Sequence, residues 1–200
     1  MDVVKVEKRN ERMKARQLRK AGVVPCSVYG GLLKEAIALQ MDEPTARWLA
    51  RKKRVGSRLE LELEGRRIPV QIKEKQENRV TDVIEHISFQ ALAADQKVNS
   101  VAHILLKHAE AVPGVLEQMI FAVPFSSLPA DMIDTVTIDV EGMTEGTVVT
   151  LGEIPEFRNE RIELQLDPGC MVLRVSEKRR EVKPAAPEEE SGGTEETEPI

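Results

Sequence analysis

Apolar and polar residues alternate along much of this chain, and the alternation predicts strands. The clearest case is residues 59–64, read Leu-Glu-Leu-Glu-Leu-Glu, which puts three leucines on one strand face and three glutamates on the other. A turn at Glu64 and Gly65 leads to a second alternating run at residues 68–72, so the two runs predict a hairpin. Pro69 has no N–H to donate, which places the second strand at a sheet edge or at the start of a strand.

Strands are predicted in both halves of the chain, at fairly even spacing. Proline and glycine separate the apolar runs, as is typical of an antiparallel sandwich or barrel. The predicted fold class is therefore mainly β. The remaining predicted strands cover residues 36–41, 83–89, 98–106, 118–125, 134–140, 147–151, 161–166 and 171–175.

Two helices interrupt the first half of the chain. Residues 42–53 begin with Asp42, a residue type that is favoured as a helix N-cap. We expect Trp48 and Leu49 to face the core, and the helix dipole to favour the arginines and lysines at the C-terminal end. A second helix is predicted at residues 10–21, before a glycine that ends it.

Charge is segregated along the chain, although the net charge is only −5. Residues 1–92 hold 20 lysines and arginines against 13 acidic residues, whereas residues 93–183 hold 9 against 15. This asymmetry indicates a nucleic-acid or interaction function that the overall charge hides. The alternative is a basic surface that only faces water. The sign of the charge changes near residues 91–95, and we predict a domain boundary there.

The C-terminal residues 184–200 have a different composition. They combine proline, glycine, serine and six glutamates with almost no apolar side chain. Such a segment cannot offset the entropy of ordering, so we predict a disordered acidic tail. The predicted organisation is a first domain at 1–92, a second domain at 93–183 and this tail.

Several classes of protein are not indicated. The chain starts without the apolar run of a signal peptide, and no stretch approaches the ~20 apolar residues that span a bilayer. Cys26 and Cys170 stand alone, without the cysteine or histidine spacing typical of a zinc site. Neither a nucleophile-elbow nor a P-loop pattern occurs. We therefore expect a cytoplasmic protein that is not an enzyme and has no cofactor, metal site, membrane contact or small-molecule substrate.

A basic segment at residues 8–20 carries the strongest functional signal. Seven of its residues are lysine or arginine, and only Glu11 is acidic. Met13 and Leu18 are its main apolar residues, which is a thin stripe for a packed helix. A segment of this kind gains order when phosphates neutralise it, and each contact releases counterions. RNA contact is the favoured interpretation, and an exposed, partly frayed helix is the alternative.

Tyr29 is the only tyrosine of the chain and follows this segment closely. A phenol beside basic residues stacks on a base or hydrogen-bonds to a sugar or phosphate. The alternative is an amphipathic residue at the edge of the core with a solvated hydroxyl. Gly30 and Gly31, which come next, indicate a turn more than a phosphate-binding loop.

Six short motifs occur in order along the chain: LRKAGVVPCSVYG at 18–30, VQIKEKQ at 70–76, HISF at 86–89, PGVLEQ at 113–118, LPAD at 128–131 and IDVEG at 138–142. Together they resemble the bacterial large-subunit ribosomal protein family twenty-five, which binds 5S ribosomal RNA, in its two-domain long form, the general stress protein CTC. The resemblance implies a small N-terminal β-barrel with helices that docks on the loop E region of 5S rRNA, followed by a β-rich C-terminal domain. It also implies partners in the large ribosomal subunit, including neighbouring ribosomal proteins.

The resemblance further implies which side chains contact the RNA. Basic side chains would hold phosphates, whereas tyrosine, glutamine and histidine would read sugar hydroxyls and base edges. The implied RNA-binding residues are Arg9, Lys14, Arg19, Lys20, Tyr29, Gln76 and His86.

The chain departs from the family pattern at Ser88, where the family has an acidic residue two positions after the histidine. A serine hydroxyl cannot act as a charged acceptor. A second interpretation therefore stays open: a divergent, stress-associated paralogue that binds protein partners and has weak or no affinity for RNA. The acidic second half of the chain favours the same alternative, because it would repel RNA.

Overall fold

The computed structural model describes residues 2–31, 33–159 and 161–177. Strands dominate the described residues, which confirms the mainly β fold class. The predicted acidic tail at 184–200 lies outside the described residues. No helix among those ranges is long and apolar enough to cross a membrane.

The first six strands close into a barrel, in the order β1-β3-β2-β6-β5-β4. Neighbouring strands are antiparallel, except that β1 runs parallel to β4 and β2 runs parallel to β6. This confirms the barrel that the family resemblance implied. The barrel elements are β1 (Val3–Lys8), α1 (Ala15–Lys20), β2 (Val23–Tyr29), β3 (Ile37–Asp42), α2 (Glu43–Lys52), β4 (Arg58–Leu63), β5 (Arg66–Asn78) and β6 (Val83–Ala91).

Two smaller sheets follow the barrel. One has four strands in the order β10-β7-β9-β12, and the other has three in the order β11-β13-β8. They share a second apolar core that contains Phe125 and Phe157. Their strands are β7 (Val98–Lys107), β8 (Val115–Gln118), β9 (Ala122–Ser127), β10 (Thr135–Asp139), β11 (Val148–Thr150), β12 (Glu163–Leu164) and β13 (Met171–Ser176).

The leucines of the alternating run at residues 59–64 pack in the barrel core, as predicted. Leu59 and Leu61 are fully buried and Leu63 nearly so, while the glutamates between them face outward. Each buried leucine contributes roughly 1.5–3 kcal/mol through the apolar surface that it removes from water. In the hairpin with β4, Pro69 lies in β5, and the ladder to β6 begins one residue later, at Val70. The missing N–H of Pro69 therefore interrupts no pair with β6.

Helix α2 forms where the sequence predicts it, and its N-cap is as expected. Asp42 Oδ2 accepts a hydrogen bond from the backbone N–H of Thr45 at 3.1 Å. Leu49 and Ala46 are fully buried in the barrel core. The prediction that Trp48 faces the core is wrong, because its side chain is 43% exposed. At about 100° per residue, a helix that buries Ala46 and Leu49 turns Trp48 away from the core.

Helix α1 is shorter than predicted and covers six residues only. The Asn10 side chain accepts a hydrogen bond from the backbone N–H of Arg12 at 3.1 Å, which makes a local turn instead of a helical one. The side-chain carbonyl of Gln17 accepts from the backbone N–H of Lys14 at 3.0 Å, so the helix begins after Lys14. Leu18 is its one buried residue and anchors it to the barrel.

Several strands also differ from the predictions. The predicted strand at 118–125 is two strands, because the backbone N–H groups of Met119 and Ile120 both bond to the carbonyl of Val172 and leave the ladder. The predicted strand at 161–166 pairs only over two residues. Strand β1 was not predicted, although its apolar residues also alternate with polar ones.

Polar contacts join the barrel to strand β7. The Nε2 atom of His103 lies 2.9 Å from the carbonyl oxygen of Val55. Gln71 is fully buried, and its Nε2 donates to the carbonyl oxygen of Asn99 at 3.1 Å. The domain boundary near residues 91–95 stays a prediction.

Candidate nucleic-acid interface

One outward side of the barrel collects polar side chains from three adjacent strands. In the ladder between β5 and β6, Gln76 is paired with His86 and Glu74 with Ser88. Ser88 is in turn paired with Ser27 on β2. Paired residues point to the same side of a sheet, as do residues two apart on one strand. We define the strand face as the outward side chains of Ser27, Tyr29, Glu74, Gln76, His86 and Ser88.

The barrel core fixes the direction of these side chains. Ile87 and Phe89 on β6 are fully buried, so His86 and Ser88, which alternate with them, project outward. On β2 the buried Cys26 and Val28 alternate with outward positions, so Tyr29 also projects outward and is 37% exposed. The strand face is therefore a consequence of the same alternation that builds the core.

His86 is the half-buried centre of the strand face. Its Nδ1 lies 3.3 Å from Oγ of Ser88, within hydrogen-bond distance. Burial lowers the pKa of His86 below its ordinary 6.5, the carboxylate of Glu74 raises it, and the positive charge of Arg9 lowers it further. The imidazole is consequently neutral at neutral pH and offers one donor and one acceptor.

Arg9 brings an unused donor to this face. Its backbone N–H bonds to the carbonyl of Ala38 at 3.0 Å, which fixes the chain just after β1. Its side-chain Nε is buried and finds no hydrogen-bond partner among the described residues. A buried N–H without an acceptor costs about 1–3 kcal/mol, and a shift of the side chain toward an acceptor would remove this cost.

The side chain of Gln40 on β3 hydrogen-bonds to the backbone near the start of the basic segment. Its Oε1 accepts from the backbone N–H of Asn10 at 3.0 Å, and its Nε2 donates to a carboxylate oxygen of Glu7 at 3.2 Å. Sequence reasoning missed Gln40, Ser27 and Glu74. The available signal was their position on alternating strands. Ser27 and Glu74 lie two residues from Tyr29 and Gln76, and Gln40 lies between two buried residues of β3.

Helix α1 is tied to the strand face by Arg19. Its Nη1 donates to the backbone carbonyl of Glu85 at 3.3 Å, directly next to His86 on β6. A guanidinium has five N–H donors, so this contact leaves others for an anion. Lys14 and Lys20 lie at the two ends of α1 and are exposed.

Among the described residues, most cations of the basic segment make no ion pair. Lys8 pairs with Glu64 at 3.1 Å between Nζ and Oε1. Within residues 2–31, 33–159 and 161–177, no ion pair involves Lys14 or Lys20. Free cations beside a polar face suit a ligand with both phosphates and hydrogen-bonding edges.

The structure pairs Gln76 with His86, brings the charge of Arg9 close enough to act on His86, and joins Arg19 to the carbonyl of the adjacent Glu85. Tyr29 lies on the same outward side of the barrel, on β2. Lys14 and Lys20 do not contact these residues in the described structure. Their charges can attract phosphate groups that lie beyond the strand face.

Other reactive groups lie away from the strand face. Burial raises the pKa of the Cys26 thiol to about 12, so this thiol stays protonated and packs as a small core residue. Among the described residues one group of metal-ligating type occurs in the second half, where His108 Nδ1 lies 2.9 Å from Asp139 Oδ1 and 3.5 Å from Glu141 Oε2. All three side chains are exposed, and His108 pairs with each of the two carboxylates.

Comparisons with known proteins agree on one family. The model of the ribosomal L25p family matches residues 4–89, which include the whole strand face. The large ribosomal subunit protein bL25 of Xanthomonas oryzae pv. oryzae is 32% identical and aligns over 96% of both chains. The protein of the same name from Methylobacillus flagellatus is 29% identical over 82% of this chain and 83% of its own.

Proposed function

Because this chain belongs to the ribosomal L25p family, we propose that it is a protein of the large ribosomal subunit that binds 5S rRNA at the loop E region through its strand face and basic segment. The proposed partners are this RNA, the large subunit and neighbouring ribosomal proteins, and the proposed location is the ribosome in the cytoplasm. No step of the proposal requires a cofactor or a catalytic residue.

The observation that carries the proposal is the buried Nε of Arg9, which finds no hydrogen-bond partner among the described residues and whose side-chain charge lowers the pKa of His86. Without a ligand, the Arg9 side chain could turn outward and hydrogen-bond to water at little cost in free energy. A small shift of the guanidinium would bring this N–H to an anion or carbonyl of a bound ligand. The neutral imidazole and the amide of Gln76 add donors and acceptors on the same side.

The proposed role of each residue in RNA binding follows from the chemistry of its side chain. Lys14, Arg19 and Lys20 hold phosphates and supply affinity that depends on salt. Gln76 and His86 hydrogen-bond to base edges and sugar hydroxyls, which an irregular, shallow minor groove of RNA makes accessible. Tyr29 supplies a ring for stacking or a hydroxyl for the backbone.

The proposal is tested by titrating the full chain with an RNA helix that contains loop E. Replacing Arg9 by Met removes the donors and keeps the apolar stem, and we expect binding to weaken at least about tenfold, since hydrogen bonds to charged groups contribute about 1.5–3 kcal/mol. Arg66→Met is the matched control, because Arg66 is exposed at the start of β5 and lies outside the strand face. Equal affinities of the two variants would count against the proposed site.

A second function rests on Ser88, which gives His86 a neutral neighbour where the family pattern has an acidic one. In this alternative the chain is a stress-associated paralogue that binds proteins and has little affinity for RNA. It predicts no saturable binding of 5S rRNA by the full chain and stable co-purification of a protein partner.

A further inference from the structure

Trp48 is the only tryptophan of the chain, and it is exposed on the outward side of helix α2. A tryptophan that is 43% exposed leaves a large apolar ring in contact with water. The core does not need it, because Ala46 and Leu49 already close that end of the barrel. The strand face does not include it either.

The residues around Trp48 are cationic. Arg51 and Lys52 follow it by three and four positions, a spacing that puts them beside it on a helix surface. Both are exposed, and among the described residues neither makes an ion pair. Arg47 is also exposed but is bound to Glu43, at 2.6 Å between Nη2 and Oε1.

We propose that the outward side of α2, formed by Trp48, Arg51 and Lys52, binds an unpaired segment of RNA, with a base stacked on the indole and the adjacent phosphates held by the two cations. We call it the α2 surface. Base stacking on aromatic rings is worth about 1–3 kcal/mol per base and tolerates any sequence.

Charge complementarity selects this occupant. The α2 surface needs a partner that is flat and apolar at one point and anionic beside it, and a nucleotide combines these properties in one unit. The surface cavity on the other side of Arg51, about 350 Å³, is not the phosphate site. Glu77 and Asp82 line it and would repel phosphates. The RNA therefore lies on the Trp48 side of the helix.

The presence of Arg51 and Lys52 has a simpler partial explanation. Cations in the last turn of a helix interact favourably with its dipole. That explanation accounts for their charge but not for an exposed indole beside them. The test must therefore separate helix stability from RNA binding.

The fluorescence of the single tryptophan reports directly on the α2 surface. We expect a short oligouridylate to quench the Trp48 emission of the full chain in a saturable way that weakens with salt. By the anisotropy of labelled oligouridylate, Trp48→Ala and the double variant R51A/K52A should each bind about fivefold or more weakly, and Trp48→Phe should keep much of the affinity. Circular dichroism would show whether each variant keeps its fold and helix.

Two controls make the result specific. R66A/R67A removes the same charge from exposed positions of β5, and its affinity for oligouridylate should stay close to that of the unchanged protein. R19A/K20A alters the proposed 5S rRNA site and should leave the quenching of Trp48 intact. Failure of the 5S rRNA site would thus be seen separately from failure of the α2 surface.

The proposal is overturned if oligouridylate binds without quenching Trp48, or if W48A and R51A/K52A bind it as tightly as R66A/R67A does. It is also overturned if polyglutamate quenches Trp48 and oligouridylate does not, because the surface would then fit an acidic protein.

Discussion

Oγ of Ser88 lies 3.3 Å from Nδ1 of His86, on neighbouring outward positions of one strand. The contact gives the imidazole a preferred orientation at the centre of the strand face. A serine hydroxyl can donate or accept here, but it brings no charge. The charged groups that act on His86 therefore come from other elements, Glu74 on β5 and Arg9 after β1.

The first prediction concerns the titration of His86. Because burial favours its neutral form, its pKa measured by NMR should lie below the ordinary 6.5. Glu74→Gln removes the charge that raises this pKa and should lower it further, whereas Arg9→Met should raise it. A pKa at or above 6.5, or no response to either substitution, would contradict the geometry of the strand face.

The same shift has a consequence for stability. The folded state binds the His86 proton less readily than the unfolded state, so the free energy of unfolding rises with pH through this range. The contribution of neutral His86 is fully present above pH 6.5 and is lost as the pH falls toward its lowered pKa. Urea denaturation of the unchanged protein and of His86→Gln, compared between acid and neutral pH, measures this difference.

The second prediction concerns phosphate contacts. The double variant R19A/K20A should weaken the binding of 5S rRNA and flatten the dependence of log affinity on log salt by about 1.5, since each phosphate contact contributes about 0.7–0.9 to the slope. Filter binding over a range of salt concentrations measures the slope. R66A/R67A is the control with the same change of charge, and an unchanged slope in R19A/K20A would exclude these two cations as phosphate contacts.

The third prediction concerns the barrel core. Leu61 on β4 is fully buried, and Leu61→Ala should lower the free energy of unfolding by about 2–5 kcal/mol, because it removes buried methyl groups and leaves a cavity. Glu62→Ala on the outward side of the same strand should change it by about 0.5 kcal/mol or less. Urea denaturation of both variants provides the comparison, and similar values would show that the alternation does not define the core.

Much of the barrel could be predicted because its signals are local. Alternation at residues 59–64 fixes which side chains are inside, and Asp42 marks the start of α2 through a hydrogen bond three residues away. The length of α1 could not be predicted in this way. The hydrogen bond from the backbone N–H of Arg12 to the Asn10 side chain competes with helix formation there. Composition alone does not show whether the turn or the helix forms.

The candidate site was predictable only as a set of residue types. Nothing local in the sequence shows that the charge of Arg9 acts on His86, since their proximity depends on the register of the barrel strands. The exposure of Trp48 was mispredicted for a related reason. Apolar character favours burial, but Leu49 and Ala46 occupy the positions that face the barrel, and Trp48, one residue before Leu49, points to water.

The most direct measurement of the central claim is a filter-binding titration of the full chain with intact 5S rRNA at moderate salt. We expect the full chain to bind 5S rRNA in a saturable way. Arg9→Met and R19A/K20A should both weaken this binding, and Arg66→Met should leave it unchanged. If the full chain left 5S rRNA free in solution, or if all three variants bound it equally, the strand face and the basic segment would not be its RNA-binding site.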